Sequence, residues 1–446
     1  MIFAGKKVLV FGTGKSGIAA EDLLHKKGAS VVLYDGNDKL EKEEILKEYF
    51  GYPSLKKEQE KIINTVLSGK DCIGILPTGY GKSAAFQLPA LMLEGITLVV
   101  TPLISLMQDQ VKHLKEKRIP AAMLSSLQTI EEQDRIYQCL GNIKLLYVSA
   151  ERLQSLRFIR EIRKYKISLF VCDEAHTLLW GEDFRTALKD IPDFVRTLPF
   201  RPRHLALTAT ATTEVVAKII RYLNLYRPEI VRGDCDRKNI FYRVIHSSHK
   251  DRDLRKLLNQ FSKESGLIYC LTVRKCEEVY RNLQENGFSV ELYHGQMSSA
   301  DKIRVQKQFS SKSVQFMVCT NAFGMGIDIP DIRLVVLYDL PQSIEDFVQQ
   351  TGRASRDNGY AEAVVLFNLE DIAAVRYFIE HIPEGPDAFL LRKERTRRLA
   401  KMAEFCLTGK CLHQYICHYF QQPHKGNCGM CGSCQSCLLY TSDAAD

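Results

Sequence analysis

Lys82 and Ser83 follow a turn that carries two glycines, and their types and spacing suit a definite chemistry. The stretch reads Leu76-Pro77-Thr78-Gly79-Tyr80-Gly81-Lys82-Ser83, between the apolar run Cys72-Ile73-Gly74-Ile75 and the helical pattern Ala84-Ala85-Phe86-Gln87-Leu88. Strand, glycine loop, Gly-Lys-Ser and helix together make a phosphate cradle. Backbone N–H groups of the loop converge on an anion that the helix dipole also favours. In such a cradle Thr78, Gly79 and Gly81 form the loop, Lys82 reaches the β- and γ-phosphates, and the Ser83 hydroxyl ligates Mg²⁺. Leu76 stands where these loops usually open with glycine, so the pattern departs at that position.

Other groups suit the same reaction. The apolar run Leu169–Cys172 ends in Asp173-Glu174-Ala175-His176. Adjacent acids are usually solvated surface. At the end of a strand in a phosphate-loop fold, however, Asp173 would hold Mg²⁺, mostly through water, and Glu174 would orient or deprotonate the attacking water. Thr208-Ala209-Thr210 ends the next strand and could link hydrolysis to nucleic-acid binding. Much later, Gln349-Gln350-Thr351-Gly352-Arg353-Ala354-Ser355-Arg356-Asp357 sets Arg353 and Arg356 at i and i+3, which is one face if the segment is helical. Pointed into a cleft between two lobes, these arginines would stabilise charge on a transferring phosphoryl group. The glycine-rich strand exit Cys319–Asp328 could face both nucleotide and a strand backbone. Near the end, Cys428-Gly429-Met430-Cys431-Gly432-Ser433-Cys434 spaces three thiols by two residues each, with Cys411 on a preceding helix. Four thiolates form a closed tetrahedral structural zinc site.

These residues need a scaffold. From Leu40 to Phe367 the sequence alternates apolar strands with amphipathic helices, as parallel sheets covered on both faces do. Strands are predicted at Cys72–Leu76, Thr97–Thr101, Lys144–Val148, Leu169–Cys172 and Leu205–Thr208, then at Leu267–Cys270, Val290–Tyr293, Gln315–Thr320, Leu334–Tyr338 and Ala363–Phe367. Two series imply two lobes joined near Val231–Asn239. The fold class is therefore α/β: two tandem phosphate-loop lobes, a small helical zinc-binding module, and a short N-terminal βαβ fragment. The expected divisions are 1–39, 40–235, 236–367, 368–436 and a tail at 437–446. The chain has 446 residues, 45% hydrophobic and 26% charged, without an apolar run long enough to span a membrane. Its net charge of +8 suits a phosphate-backbone partner without requiring one. Seven of its 14 cysteines lie between Cys406 and Cys437, and the rest sit in apolar runs such as Val171-Cys172. That distribution suggests buried thiols in a reducing cytoplasm plus one metal cluster. In the N-terminal fragment, Val8–Phe11, Gly12-Thr13-Gly14-Lys15-Ser16-Gly17 and Ser30–Asp35 form one dinucleotide-type unit, too short to bury its own core. Residues 2–38 resemble the opening of the ligase that adds D-glutamate to UDP-N-acetylmuramoyl-alanine. The central and C-terminal domains of such a ligase are missing, and a chimeric origin with no function of its own is expected for this piece.

Taken in order, the motifs from about 41 to 436 resemble the RecQ family of superfamily-two DNA helicases. The carriers are Phe50-Gly51-Tyr52 with Gln59, the loop Pro77–Ser83, Thr101–Gln110, Asp173–His176, Thr208–Thr210, Phe323–Asp328 and the arginine segment. The resemblance implies two RecA-like lobes that couple Mg²⁺-ATP hydrolysis to 3′→5′ movement on single-stranded and partly duplex DNA, in repair or recombination. It puts adenine recognition on Gln59, base stacking on Tyr52 and the arginine finger on Arg356, with Lys56 and Glu58 standing where arginine and glycine are usual. Ser355 likewise replaces a usual glycine. Asp328 joins the nucleotide side, and Thr101, Ser105 and Gln108 are expected on DNA phosphates. Trp180, Phe184 and Arg185 match the family's aromatic-rich loop, on which bases stack; Glu182 there replaces the usual histidine. Cys411, Cys428, Cys431 and Cys434 match its zinc ligands, whereas Cys417 lies off the pattern and reads as a core thiol. The zinc module and aromatic loop argue against an RNA-directed helicase, and intact Lys82, Glu174 and Arg356 argue against a non-enzymatic binder. Residues 437–446 resemble a translated sequencing adapter, so a cut near Ser436 is expected; members of the family often continue into a winged helix and a further helical DNA-binding domain.

Overall fold

The computed structural model of the protein describes residues 7–11, 23, 30–34, 38–51, 54–101, 104–125, 128–176, 191–323, 329–385 and 388–435. Near its start, β1 (Lys7–Phe11) pairs in parallel with β2 (Ser30–Tyr34) in a two-stranded sheet of their own.

The first large sheet has seven strands: β3 (Cys72–Ile75), β4 (Ile96–Val100), β5 (Ala121–Leu124), β6 (Leu145–Val148), β7 (Ile167–Cys172), β8 (Arg203–Thr208) and β9 (Glu229–Arg232). All its pairings are parallel, in the order β5-β6-β4-β7-β8-β3-β9. Alternate residues of a strand face opposite sides of its sheet. In β7, Phe170 and Cys172 feed one buried core while Leu169 and Val171 feed another. Helices cover both faces, and α1 (Lys57–Leu67), α2 (Ala84–Met92) and α3 (Ile104–Glu116) all pack on the face of Leu169 and Val171. The strand order matters for function. It sets β4, β7, β8 and β3 side by side, so the phosphate loop, the Asp173–His176 segment, the Thr208–Thr210 segment and Thr101 all leave neighbouring C-terminal strand ends. Ligands bind at that edge of an open parallel sheet.

The second sheet runs β10-β15-β14-β11-β13-β12, again all parallel, with β10 (Ile240–His246), β11 (Ser265–Tyr269), β12 (Val290–Tyr293), β13 (Phe316–Cys319), β14 (Ile332–Leu337) and β15 (Ala361–Phe367). Before β15, α4 (Ile344–Thr351) leads into the arginine segment. The C-terminal module consists of α5 (Leu369–Glu380), α6 (Ala388–Leu407) and α7 (Leu412–Tyr419). Its apolar residues do not form a separate core. Met402, Phe405, Leu412 and Ile416 join one cluster with Tyr242 and Phe347 of the second lobe. The Phe347 ring lies 5.4 Å from that of Tyr242 and 4.8 Å from that of Phe405, distances of favourable ring packing.

Three strands went unrecognised in the sequence: β5, β9 and β10. Each is the edge strand of its sheet. β9 reads Glu-Ile-Val-Arg with only Val231 buried, and β10 loses burial over its last four residues. In these two the half-solvated edge breaks the continuous apolar run that marks a central parallel strand, whereas β5, Ala-Ala-Met-Leu, is apolar but lacks the β-branched and aromatic residues that favour strands. No helix of the described residues is long and apolar enough to cross a membrane.

Candidate active site and metal centre

The phosphate loop makes its turn without the missing first glycine. Leu76 stays in the core at 0% exposure and donates its N–H to the Thr208 carbonyl at 2.9 Å. The turn falls instead on Gly79 and Gly81, at φ of +79° and +81°, where a side chain would be strained. A Cβ on Gly81 would also meet Gln59 Nε2 at 2.6 Å. Ser83 opens α2, its carbonyl accepting from the N–H groups of Phe86 and Gln87. Lys82 Nζ pairs with Glu174 Oε1 at 2.6 Å, joining loop and acid across the sheet edge.

Gln59 and the two departures beside it converge on this loop. The Gln59 amide donates to the Tyr80 and Gly81 carbonyls at 3.0 and 2.9 Å and accepts from Lys56 N at 2.9 Å. Lys56 Nζ stands 4.2 Å from the Tyr80 ring centroid, and the Tyr80 hydroxyl donates to the Glu58 carboxylate. Lys56 and Glu58 thus clamp a tyrosine of the phosphate loop, and Tyr80 was not among the residues the sequence singled out.

Glu174 sits at φ +49°, a left-handed conformation that costs a non-glycine residue about 1–3 kcal/mol and recurs at functional sites. Its N–H donates to Asp173 Oδ1 at 2.9 Å. Burial first, then the Glu174 charge, raises the Asp173 carboxyl above its ordinary range. Burial would raise Glu174 too, but Lys82, His176 and Arg353 together hold it below its ordinary value. Burial pushes the His176 imidazole down to about 4, so it is neutral near pH 7. The Thr208 proton goes to the Thr210 carbonyl at 3.0 Å, so the hydroxyl accepts from His176 Nδ1 at 2.9 Å. His176 Nδ1 is also 3.4 Å from Glu174 Oε2. A polar chain therefore links Glu174, His176, Thr208 and Thr210 across β7 and β8.

The expectation that Arg353 and Arg356 share a helical face is corrected. Helix α4 stops at Thr351, Gly352 caps it, and Ser355 takes a left-handed φ of +46°, so both arginines leave a turn. Arg356 still reaches the loop, and Gly352 packs against it. A Cβ on Gly79 would lie 3.0 Å from Arg356 Cγ, and a Cβ on Gly352 would lie 3.1 Å from Thr78 Cβ. Arg353 is half-buried and lies within electrostatic reach of the Tyr269 hydroxyl and of Glu174. At Ser355, where glycine is usual, the hydroxyl accepts from Asn239 Nδ2 at 2.9 Å and donates to Gly359 O, local bonds that offset the strain.

Of the residues expected on nucleic acid, Gln108 is exposed on α3, whereas Thr101 is buried at the end of β4 and its hydroxyl has no hydrogen-bond partner among the described residues. Ser105 lies in α3 with its side chain outside the described set. Tyr52, Trp180, Phe184, Arg185 and Asp328 also lie outside the described residues.

Cys411, Cys428, Cys431 and Cys434 bring their four sulfurs within 4.8 Å of one another. Cys428 and Cys434 Sγ are 4.0 Å apart, close to the roughly 3.8 Å edge of a tetrahedron with 2.3 Å zinc–sulfur bonds. Cys411, Cys431 and Cys434 are buried, and N–H groups of Leu412 and Met430 donate to Cys431 and Cys428 sulfur at 3.4 and 3.2 Å. Such donors stabilise the charge that four thiolates leave on a divalent ion. The donor set therefore fits zinc. Cys417 is buried outside this cluster, its sulfur 3.7 Å from that of Cys235.

Two residues that no spacing pattern announced, Arg237 and Asn239, lie between β9 and β10 and hydrogen-bond to the arginine segment. A single arginine and asparagine in a short polar connector carry no periodic signal, so only the fold brings them forward.

Comparison with known proteins agrees with this geometry. Residues 56–219 match the family described as DEAD/DEAH box helicase, 249–358 the helicase conserved C-terminal domain, and 369–438 the RecQ zinc-binding family. The chain is 38% identical over 388 residues to the ATP-dependent DNA helicase RecQ of Pasteurella multocida, covering 86% of this chain and 61% of that protein. It is 36% identical over 392 residues to the ATP-dependent DNA helicase RecQ of Bacillus subtilis, covering 86% of this chain and 65% of that one. It thus spans somewhat under two thirds of the length of these curated relatives. Among solved structures, the DUF1998 helicase MrfA bound to DNA superposes with a TM-score of 0.64 at 18% identity, over 85% of this chain and 60% of that one. S. cerevisiae Dbp5 bound to RNA and ADP BeF3 gives 0.62 at 18% identity, over 80% and 97%. At such identities these two establish the fold alone. With two helicase lobes and a RecQ-type zinc module in order along one polypeptide, and with relatives bearing that name, the chain belongs to the RecQ family.

Proposed function

We propose that the chain is the motor core of an ATP-dependent DNA helicase, hydrolysing Mg²⁺-ATP to move 3′→5′ along single-stranded DNA and open the duplex ahead, in DNA repair or recombination. One observation carries this reading: Lys82, Glu174 and the Arg353–Arg356 segment converge on one glycine loop from two lobes. We take the lobes as 40–235 and 236–367 and the zinc module as 368–436. Lys82 leaves Glu174 to hold the terminal phosphates, and Thr78, Gly79 and Gly81 offer the loop that receives them. Glu174, released, orients the attacking water and takes its proton. Arg353 and Arg356 meet the charge that develops as the γ-phosphoryl transfers. Ser83 and Asp173 supply hard oxygen donors for Mg²⁺, which neutralises phosphate charge when bound. Tyr52, Lys56 and Gln59 contact the adenine, and Asp328 belongs to the same site. Ser105 and Gln108 face DNA phosphates, with Thr101 buried behind them at the end of β4, while Trp180, Phe184 and Arg185 stack on and pair with the strand. Zinc on the four cysteines holds the C-terminal module together. The thiols and their metal-binding cluster suit the reducing cytoplasm.

The direct test is ATP hydrolysis with and without single-stranded DNA, beside an equal RNA. Stimulation by DNA and little by RNA is expected; equal stimulation would favour an RNA-directed enzyme. In the same assay Trp180→Ala should keep its DNA-independent rate and lose most of the stimulation, since a stacked base contributes about 1–3 kcal/mol. Full stimulation in that variant would remove the loop from DNA sensing.

Gly352→Ala tests the contact between lobes. Its methyl group would press on Thr78 and on the Val348 carbonyl, 2.8 Å from the new Cβ. Misplacing a transition-state group by about 1 Å costs roughly 10²-fold in rate. Turnover should fall by that order while ADP affinity stays within about threefold. Wild-type turnover would show that the arginine segment need not seat against the loop.

A further inference from the structure

We propose that Arg237 is a positioning residue for ATP hydrolysis, a spacer that sets the arginine segment of the second lobe against the phosphate loop of the first. The inference rests on the ATPase reading above and deepens it. Arg237 is half-buried in the connector between β9 and β10. Its guanidinium bridges the two halves of the site. Nη1 donates to the Thr78 carbonyl of the loop at 3.3 Å, and Nη2 donates to the Ala354 and Ser355 carbonyls at 3.0 and 2.9 Å. Those acceptors lie between Arg353 and Arg356. Only a planar fork can reach three carbonyls on two elements with a fixed spacing; a lysine ammonium is a point donor. Asn239 completes the grip, taking Arg237 Nε on its Oδ1 at 3.3 Å and donating to the Ser355 and Gly359 carbonyls at 3.2 and 3.0 Å.

The connector is itself held from a third side. Asp236 Oδ1 lies 2.6 Å from His413 Nδ1, and His413 Nε2 lies 3.1 Å from the Ile240 carbonyl. Gln422 accepts from Cys235 N at 3.0 Å and donates to the Gly233 carbonyl at 2.9 Å. Gly233 N in turn donates to the Ile75 carbonyl at 2.8 Å. Arg237 therefore projects from a segment fixed to β3 and to the C-terminal module, and is not free to follow the arginine segment. Its hydrogen bonds to the loop and to the arginine segment go to backbone carbonyls, so its effect on the reaction runs through Arg353 and Arg356.

The test uses the full chain with ADP, ADP–aluminium fluoride and single-stranded DNA. Arg237→Lys and Arg237→Ala should lower kcat by about 10²-fold with KM for ATP within about threefold. Affinity for ADP should hold, while affinity for ADP–aluminium fluoride, which mimics the transferring phosphoryl group, should fall with kcat. Because Arg237 acts through the finger, adding Arg237→Lys to Arg356→Ala should cost little more than Arg356→Ala alone. If Arg237→Ala fails to fold, the lysine variant, with its melting temperature unchanged, carries the test. Equal losses of ADP and ADP–aluminium fluoride binding, or additive losses in the double variant, would overturn the positioning role while leaving the ATPase reading intact. A wild-type chain that hydrolyses no ATP would overturn both.

Discussion

Lys82→Ala should abolish DNA-stimulated ATP hydrolysis, with a loss of at least about 10²–10³-fold, the range seen when one preorganised charge-stabilising donor is removed. The structure adds a second consequence. Lys82 Nζ is the 2.6 Å partner of Glu174, whose side chain is only 16% exposed. Removing it leaves a half-buried carboxylate with His176 at 3.4 Å, and that imidazole is neutral near pH 7. The Glu174 carboxyl should then lose much of what holds it below its ordinary range, since Lys82 is the foremost of the charges that do so. Glu174→Gln separates the two roles. The amide oxygen still accepts from Lys82, so the loop keeps its geometry and nucleotide affinity should persist. The group that takes the proton of water is gone, so turnover should fall by a similar order. Steady-state hydrolysis and nucleotide binding measured on both variants decide it. Lys82→Ala hydrolysing ATP within threefold of the parent would remove the phosphate loop from the mechanism.

How much of this was legible depended on whether a residue announces itself through spacing or only through folding. The phosphate loop, the acid pair and the cysteine cluster are local patterns, because phosphate, water and zinc each demand several donors from a few consecutive residues. Central strands were legible for a related reason, since burial on both faces leaves an unbroken apolar run. The edges β9 and β10 lacked that run, and β5, Ala-Ala-Met-Leu, is apolar but short and without β-branched or aromatic residues. The helical placement of Arg353 and Arg356 failed at Gly352 and Ser355. An i, i+3 spacing says nothing about a backbone that turns left-handed between the two. Leu76 looked like a defect in the loop and is a core residue instead, because the turn begins later, at Gly79. Lys56 and Glu58 looked like departures in an adenine-binding motif, and they prove to share Tyr80 between them. That pairing was hidden because Tyr80 occupies a position where the motif accepts any residue.

The same distinction separates the two halves of the C-terminal module. Its ligands were readable, but its attachment was not. His413 and Gln422 carry no pattern, yet they fasten the connector, and Cys431 forms a backbone bridge with Tyr242 of β10. The module's apolar residues belong to the second lobe's core. Zinc held by these cysteines would therefore do more than close a terminal knuckle: through His413 it would stiffen the segment from which Arg237 projects.

That arrangement makes Cys431→Ser the variant with the broadest expected effect. The parent should carry one zinc per chain, and the variant should lose it. Structural zinc contributes on the order of 10 kcal/mol to small modules that bind it. The four-sulfur cluster would lose its most buried member, at 0% exposure, together with the acceptor for Leu412 N–H at the start of α7. Helix α7 carries His413, so its loosening should reach Asp236 and Arg237 without any change in the phosphate loop. The expected result has three parts: no bound metal by elemental analysis, a lower melting temperature for the whole chain because the core is shared, and a fall in turnover larger than the fall in ADP affinity. Cys417→Ser is the matched control. Its sulfur is buried beside Cys235 and outside the cluster, so metal content should stay at one per chain. Zinc lost equally from Cys417→Ser would mean the wrong thiols had been assigned. Zinc lost from Cys431→Ser with turnover and melting unchanged would mean that the module closes on itself and that the connector is held by the lobes alone.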